Sequence, residues 1–176
     1  MFAVAITGLA RSGKDSVADR LVEKHGFHKL VLSDVLATEL RRQGRPDTKM
    51  NRSLLGVEMR EKEGNDVLAK RVVQKAKAQA WKRVVFSGLQ SLDEVKYLKK
   101  NSKKFALIAV KADADKRFER RTDVDLQSKE EFFERDKHNL EKFDLQKVID
   151  SASHTIANNS SLNDLHKVID ELMRKI

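Results

Sequence analysis

The chain has 176 residues, 40% of them hydrophobic, with 36 Lys and Arg against 27 Asp and Glu and no cysteine. That length supports one domain with its own core. The missing thiols exclude disulfides and thiolate metal sites and fit a cytoplasmic protein. No apolar run approaches the roughly 20 residues of a membrane-spanning helix, and the apolar start is expected to be a first strand, not a leader peptide.

The first predicted strand, 2–7, is apolar and runs straight into GLARSGKDS at 8–16. Gly8 and Gly13 stand five apart, Lys14 follows, and a helical pattern (Val17, Ala18, Leu21, Val22) leaves the loop. Strand, Gly-rich loop and helix in this order form the phosphate-cradling loop of nucleoside triphosphate binders. Glycine lets the backbone turn its N–H groups inward, the helix points its positive end at the anion, and lysine adds a cation for the β- and γ-phosphates. Gly8, Leu9, Ala10, Arg11, Ser12, Gly13, Lys14, Asp15 and Ser16 are therefore the expected nucleotide-binding residues. The usual Ser or Thr after the lysine is replaced by Asp15, with Ser16 next. Aspartate either holds magnesium as a hard-oxygen ligand or serves the helix N-terminus, and Ser16 is the alternative for the hydroxyl role.

Further strands are predicted near 28–32, 83–87, 105–111 and 153–157. Helices are predicted near 14–25, 34–43, 49–63, 65–80, 91–100, 113–121, 128–142, 144–151 and 161–175. Ser91 with Glu94, Ser128 with Glu131, and Ser161 with Asp164 have helix-capping spacing, and Gly26 fits a helix stop. Alternating strands and helices predict a P-loop α/β/α fold with a five-stranded parallel sheet. Residues 44–80 and 116–143 are expected to be helical inserts within the single domain, 1–176. The net charge of +9 suits anionic ligands. The excess gathers at Lys70, Arg71, Lys75, Lys77, Lys82 and Arg83, and again at Lys96, Lys99, Lys100, Lys103 and Lys104. These runs are either solvated faces or nucleic-acid contacts. The five histidines show no metal spacing.

No guanine-reading NKxD motif is present, and a small chain with two helical inserts resembles the nucleoside monophosphate kinase superfamily. Nearly the whole chain resembles an archaeal P-loop kinase family described as adenylate-kinase-related or dephospho-coenzyme-A-kinase-like. The resemblance lies in SDVLATEL (33–40), EMREKEGNDVLAKR (58–71), SLDEVKYLKK (91–100), FALIAVKADADKRFERR (105–121), EEFFERD (130–136) and IANNSSLNDL (156–165). The RSGKD loop also resembles those of phage deoxynucleotide kinases and phosphomevalonate kinases. The resemblance implies ATP and magnesium as cofactors. The implied acceptor is nucleotide-like, a nucleoside or deoxynucleoside monophosphate or dephospho-coenzyme A, with one insert holding it and the other acting as a lid.

It also implies site residues. Asp34 follows the second strand, in the crevice where an acceptor or its magnesium-bound water lies. Arg60 has a planar fork suited to an acceptor phosphate or carboxylate, or else makes a helix salt bridge. Arg117 and Arg121, four apart on one helix face with Arg120 beside them, resemble the lid-hinge pair of adenylate kinases, and Arg135 returns from the far side of the lid. Such cations offset charge on the transferring phosphoryl group. Asn158 lies in the loop that reads adenine in this superfamily, or in a plain turn. Three departures stand out: Ser87 and Gln90 replace an expected strand-end Asp and Arg, and Ala37 replaces a phosphate-gripping arginine. Each lost charge-assisted contact costs about 1.5–3 kcal/mol. The rival reading is a nucleotide-binding module without turnover that associates with RNA.

Overall fold

A computed structural model describes residues 1–120, 128–142 and 145–176, except the side chains of 135, 138, 139 and 142. Its strands are β1 (Phe2–Thr7), β2 (His28–Val31), β3 (Arg83–Ser87), β4 (Lys104–Lys111) and β5 (His154–Ala157). They pair in parallel in the order β2-β3-β1-β4-β5. The helices are α1 (Lys14–His25), α2 (Ser33–Arg42), α3 (Lys49–Glu63), α4 (Val67–Ala78), α5 (Leu92–Lys100), α6 (Ala114–Glu119), α7 (Lys129–Lys142), α8 (Leu145–Asp150) and α9 (Leu162–Lys175). The expected P-loop α/β/α fold with its five-stranded parallel sheet is the observed one.

The central strand is apolar on both faces because helices cover both, as parallel sheets require. Ala3 and Ala5 face a core built with Leu36, Val72, Phe86, Leu98 and Val148. Val4 and Ile6 face the opposite core, with Val17, Leu21, Leu165 and Ile169. On that second side Asp170 of α9 binds Arg20 of α1 through both carboxylate oxygens and also meets His25 Nε2 at 2.8 Å. This fixes the helix that carries the Gly-rich loop. Arg20 and His25 hold the Asp170 carboxyl well below its ordinary range.

Helix ends follow the local chemistry. Ser91 and Glu94 form a capping box at α5, Ser128 and Glu131 cap α7 reciprocally, and Ser161 accepts from Asp164 N at α9. Gly26 ends α1 in the left-handed region, its N–H donating to Leu21 O. Within the expected acceptor-side insert, α4 is not an appendage: Val67, Leu68, Ala69, Val72, Val73 and Ala76 are buried in the main core. No helix among the described residues is long and apolar enough to cross a membrane.

Candidate active site

The carboxyl ends of β1, β2 and β3 point to one edge of the molecule, where an open parallel sheet leaves its ligand crevice. At the end of β1 the backbone enters left-handed or unusual conformations at Gly8 (φ 141°), Arg11 (φ 63°) and Gly13 (φ 103°). Such a path turns successive N–H groups toward one concavity. Space is as restrictive as angle: a Cβ on Gly8 would lie 2.3 Å from Val110 O, and one on Gly13 2.1 Å from Asn158 Nδ2. α1 begins at Lys14 and directs its positive end into the same place. Ala10, Arg11, Gly13, Lys14, Asp15 and Arg120 line the resulting recess of about 400 Å³.

Lys14 Nζ donates to Leu9 O at 2.7 Å. Burial pushes its ammonium down to about 8, against the pull of Asp15 and, more weakly, Asp136, while Arg117 lowers it further. Asp15 turns outward: its exposed carboxylate accepts from Lys29 Nζ at 2.9 Å, and Lys29 also reaches Asp19 at 3.0 Å. Ser16 is half-buried in the first turn of α1. Ser12 is buried, and its hydroxyl has no hydrogen-bond partner among the described residues.

Three side chains brace this loop from outside it. Arg117, 5% exposed, donates to Ala10 O and Ala112 O and pairs with the equally buried Asp136 of α7. It also lies over the Phe132 ring. Arg120 donates to Asn158 O at 2.8 Å and to Arg11 O at 3.5 Å. Asn158 donates its side-chain amide to Ser12 O at 2.8 Å. Arg117 and Asn158 are thus occupied with the loop's own carbonyls. Arg117 is expected to face a moving phosphoryl group and Asn158 to read a base; in this structure Arg117 donates to Ala10 O, Ala112 O and Asp136, and Asn158 to Ser12 O. Arg121 lies outside the described residues, as does the side chain of Arg135.

A second cavity, of about 230 Å³, opens beside the ends of β2 and β3 and is lined by Ser33, Lys49, Arg52, Arg60, Gly88 and Gln90 with small apolar neighbours. Arg60 Nη2 donates to Glu94 Oε1 at 3.1 Å and to Gln90 Oε1 at 3.4 Å, and its Nη1 donates to Gly56 O at 3.2 Å. Glu94 has no exposed surface. Its other oxygen accepts from the N–H groups of Gln90 and Ser91 at 2.8 and 3.2 Å. Burial raises the carboxyl above its ordinary value, against those N–H groups and Arg60, which pull it down. The structure brings Arg60 and Gln90 together but not Asp34. The helical turn aims Ser33 and Leu36 into this cavity, while Asp34, with Val35 and Thr38, lines a separate cleft of about 680 Å³ against α3 and α4. Ala37 is on the buried face of α2, and Ser87 is buried at the end of β3 with its carbonyl accepting from Leu32 N.

A family model described as an AAA domain matches residues 4–141. A UPF0200 protein of Thermococcus kodakarensis is 32% identical over 186 residues, covering 98% of this chain and 99% of the relative. A second, from Thermococcus gammatolerans, is 33% identical over 182 residues and covers 98% and 94%. The chain belongs to the UPF0200 family. A UPF0200/UPF0201 protein of Archaeoglobus fulgidus is 33% identical over 184 residues, and the present chain, matched in full, spans 56% of that relative's length. The UPF0200 fold is that of TT1252 from Thermus thermophilus, with a TM-score of 0.64, 21% identity and coverage of 99% and 97% of the two chains. Shikimate kinase from Acinetobacter baumannii, in complex with shikimate, superposes with a TM-score of 0.62 at 18% identity over 99% and 94%.

Two residues of the UPF0200 site carry weight that the sequence signals only indirectly. Glu94 announces itself as the fourth residue of a capping box, and the same carboxylate clamps Arg60. Asp136 shows only as one acid in a charged helix, yet it is buried at the loop's roof, with one oxygen unpartnered among the described residues. Arg120, three residues after Arg117, lines the recess.

Proposed function

We propose that this UPF0200 chain is a P-loop kinase. It transfers the γ-phosphoryl group of ATP, with magnesium, to a small nucleotide-like acceptor: a nucleoside or deoxynucleoside monophosphate, or dephospho-coenzyme A. One observation carries the reading: two recesses share the carboxyl edge of one sheet, an N–H-lined one over Lys14 and a cation-lined one at Arg60 and Gln90. The first suits a polyphosphate, the second the anionic group of an acceptor.

Phosphoryl transfer asks chiefly for alignment and charge neutralisation. Lys14 releases Leu9 O and follows the β- and γ-phosphates. Arg120 borders the same recess. Arg117 is a positioning residue that holds Ala10, and Arg121 and Arg135 remain the proposed lid cations. Ser16, in the first turn of α1, would hold magnesium, and Asp15 would do so directly or through water once it leaves Lys29. The ion, when bound, neutralises charge on the transferring oxygens. Arg60 and Gln90, set by Glu94, orient the acceptor.

A second reading, nucleotide binding without turnover, is favoured by Ser87 at the strand end and by the Asp15–Lys29 pair. A coupled phosphoryl-transfer assay over monophosphates and coenzyme precursors decides between them. Turnover above background with one acceptor, abolished by Lys14→Ala, is expected. ATP binding with no turnover across the panel supports the module instead, and no triphosphate binding at all removes both readings.

A further inference from the structure

Strands and helices run antiparallel here, so the helix C-termini and the strand starts share the end of the molecule opposite the Gly-rich loop. Cations in the last turns of α1, α4, α5 and α9 (Lys24; Lys75 and Lys77; Lys99 and Lys100; Arg174 and Lys175) complement helix dipoles. That account does not reach Lys82, Arg83, Lys103 and Lys104, which lie in the entries to β3 and β4, outside any helix. All four are exposed. Neither they nor Lys99 and Lys100 have a carboxylate within ion-pair distance among the described residues. Carboxylates on the helices that end here include Glu23, Asp150 and Glu171, on α1, α8 and α9, and Asp170, which is already tied to Arg20 and His25.

Aromatic rings are set among these cations. Phe2 is in register with Arg83 on one side and Lys104 on the other. The Arg83 guanidinium carbon is 5.7 Å and Lys104 Nζ 4.9 Å from the Phe2 centroid, and Arg83 is 4.8 Å from that of Phe27. At the next strand, exposed His28 stacks on half-buried Trp81 with centroids 4.3 Å apart and planes 6° from parallel. Arg83, Phe2 and Lys104 form a row across three adjacent strands, about 10 Å long at the usual strand spacing, while His28 is in register with Val84 and so belongs, with Trp81, to the other face of the same sheet end. The large exposed hydrophobic residues Val22, Met50, Leu54, Leu162 and Val168 lie outside this row, so it offers no apolar wedge for a lipid surface.

We propose that this end of the molecule is a binding surface for single-stranded nucleic acid, with Lys82, Arg83, Lys103 and Lys104 meeting phosphates and the His28–Trp81 pair offering a ring to a base. Unpaired cations interleaved with aromatic side chains are the pattern that single strands recognise, backbone by charge and bases by stacking. The surface is separate from the Lys14 recess, so the proposal does not depend on kinase turnover.

The test is fluorescence anisotropy of the full chain with a labelled 20-nucleotide oligouridylate, in 50 and 200 mM salt. Binding is expected to weaken with salt, each phosphate contact contributing about 0.7 to the logarithmic slope. Lys82→Glu/Lys103→Glu is expected to weaken binding at least ~10-fold and to flatten that slope. Lys116→Glu/Lys167→Glu, which makes the same charge change at the opposite end, should have little effect. Trp81→Phe, which keeps a ring, should bind nearly as the parent does, and Trp81→Leu roughly 10-fold more weakly. Binding should persist in Lys14→Ala and under saturating MgATP. The proposal is overturned if Lys82→Glu/Lys103→Glu binds like the parent, if MgATP displaces the oligonucleotide, or if polyglutamate or anionic vesicles bind as tightly as the RNA. ATP affinity measured on the Lys82→Glu/Lys103→Glu and Trp81 variants is expected to be unchanged.

Discussion

Removing the carboxylate of Asp136 tests whether the roof of the phosphate loop is held by one buried ion pair. Arg117 and Asp136 are each 5% exposed, and the Arg117 guanidinium otherwise meets the carbonyls of Ala112 and Ala10 and the face of the Phe132 ring, none of them a counter-charge. Asp136→Ala leaves a buried cation without its counter-charge, which costs about 3–5 kcal/mol. In a chain of this size each kcal/mol moves Tm by about 2–4 °C, so the variant should melt about 6–20 °C lower. Asp136→Asn keeps an acceptor for the guanidinium and should lose less. Arg117→Met/Asp136→Leu removes both charges and should recover most of the loss. Urea unfolding monitored by far-ultraviolet circular dichroism gives these values as shifts in the midpoint. Triphosphate affinity by calorimetry should fall in the double variant despite its recovered stability, because Ala10 O has lost its tether. An Asp136→Ala protein within 1 kcal/mol of the parent, or a double variant less stable than that single one, would falsify the account.

Other outcomes follow from the same geometry. Lys14 is held near 8 by burial, so a polyphosphate that restores its charge should draw in protons: calorimetry at pH 8 in buffers of differing ionisation enthalpy should show net uptake, absent in Lys14→Arg. Because this lysine sits below its unfolded value, its contribution to fold stability rises as pH increases from about 8 toward the ordinary lysine range, and Lys14→Met should flatten that rise in denaturation midpoints. Glu94→Ala should destabilise by about 1–3 kcal/mol by leaving the buried N–H groups of Gln90 and Ser91 without their acceptor, whereas Glu94→Gln, which keeps an oxygen for the cap, should cost less. Gly13→Ala should lose about 1–3 kcal/mol by displacing the Asn158 amide from Ser12 O, and Asn158→Ala combined with it should add much less than its own single effect.

Much of this site is legible along the chain because its parts are contiguous. Gly8 to Ser16 sits between a strand and a helix, and backbone conformation, helix dipole and lysine all act within that one stretch. Strand positions follow from apolar runs, and the capping serines mark helix starts a residue or two from where they occur. Hydrogen-bond competition is different, because it is settled between segments far apart. Asp15 is a sound magnesium ligand on paper, and only the placement of β2 beside α1 gives it Lys29. Arg117 and Asn158 have free donors as isolated residues and spend them on Ala10 and Ser12 once α6 and the β5 loop close over the phosphate loop. Asp34 and Arg60 lie on consecutive helices whose rotation sends them to different cavities. Local propensity and spacing therefore determine the elements and the phosphate loop. The tertiary structure decides which charged groups remain available for chemistry, since burial makes each buried donor or acceptor take the nearest partner that packing supplies.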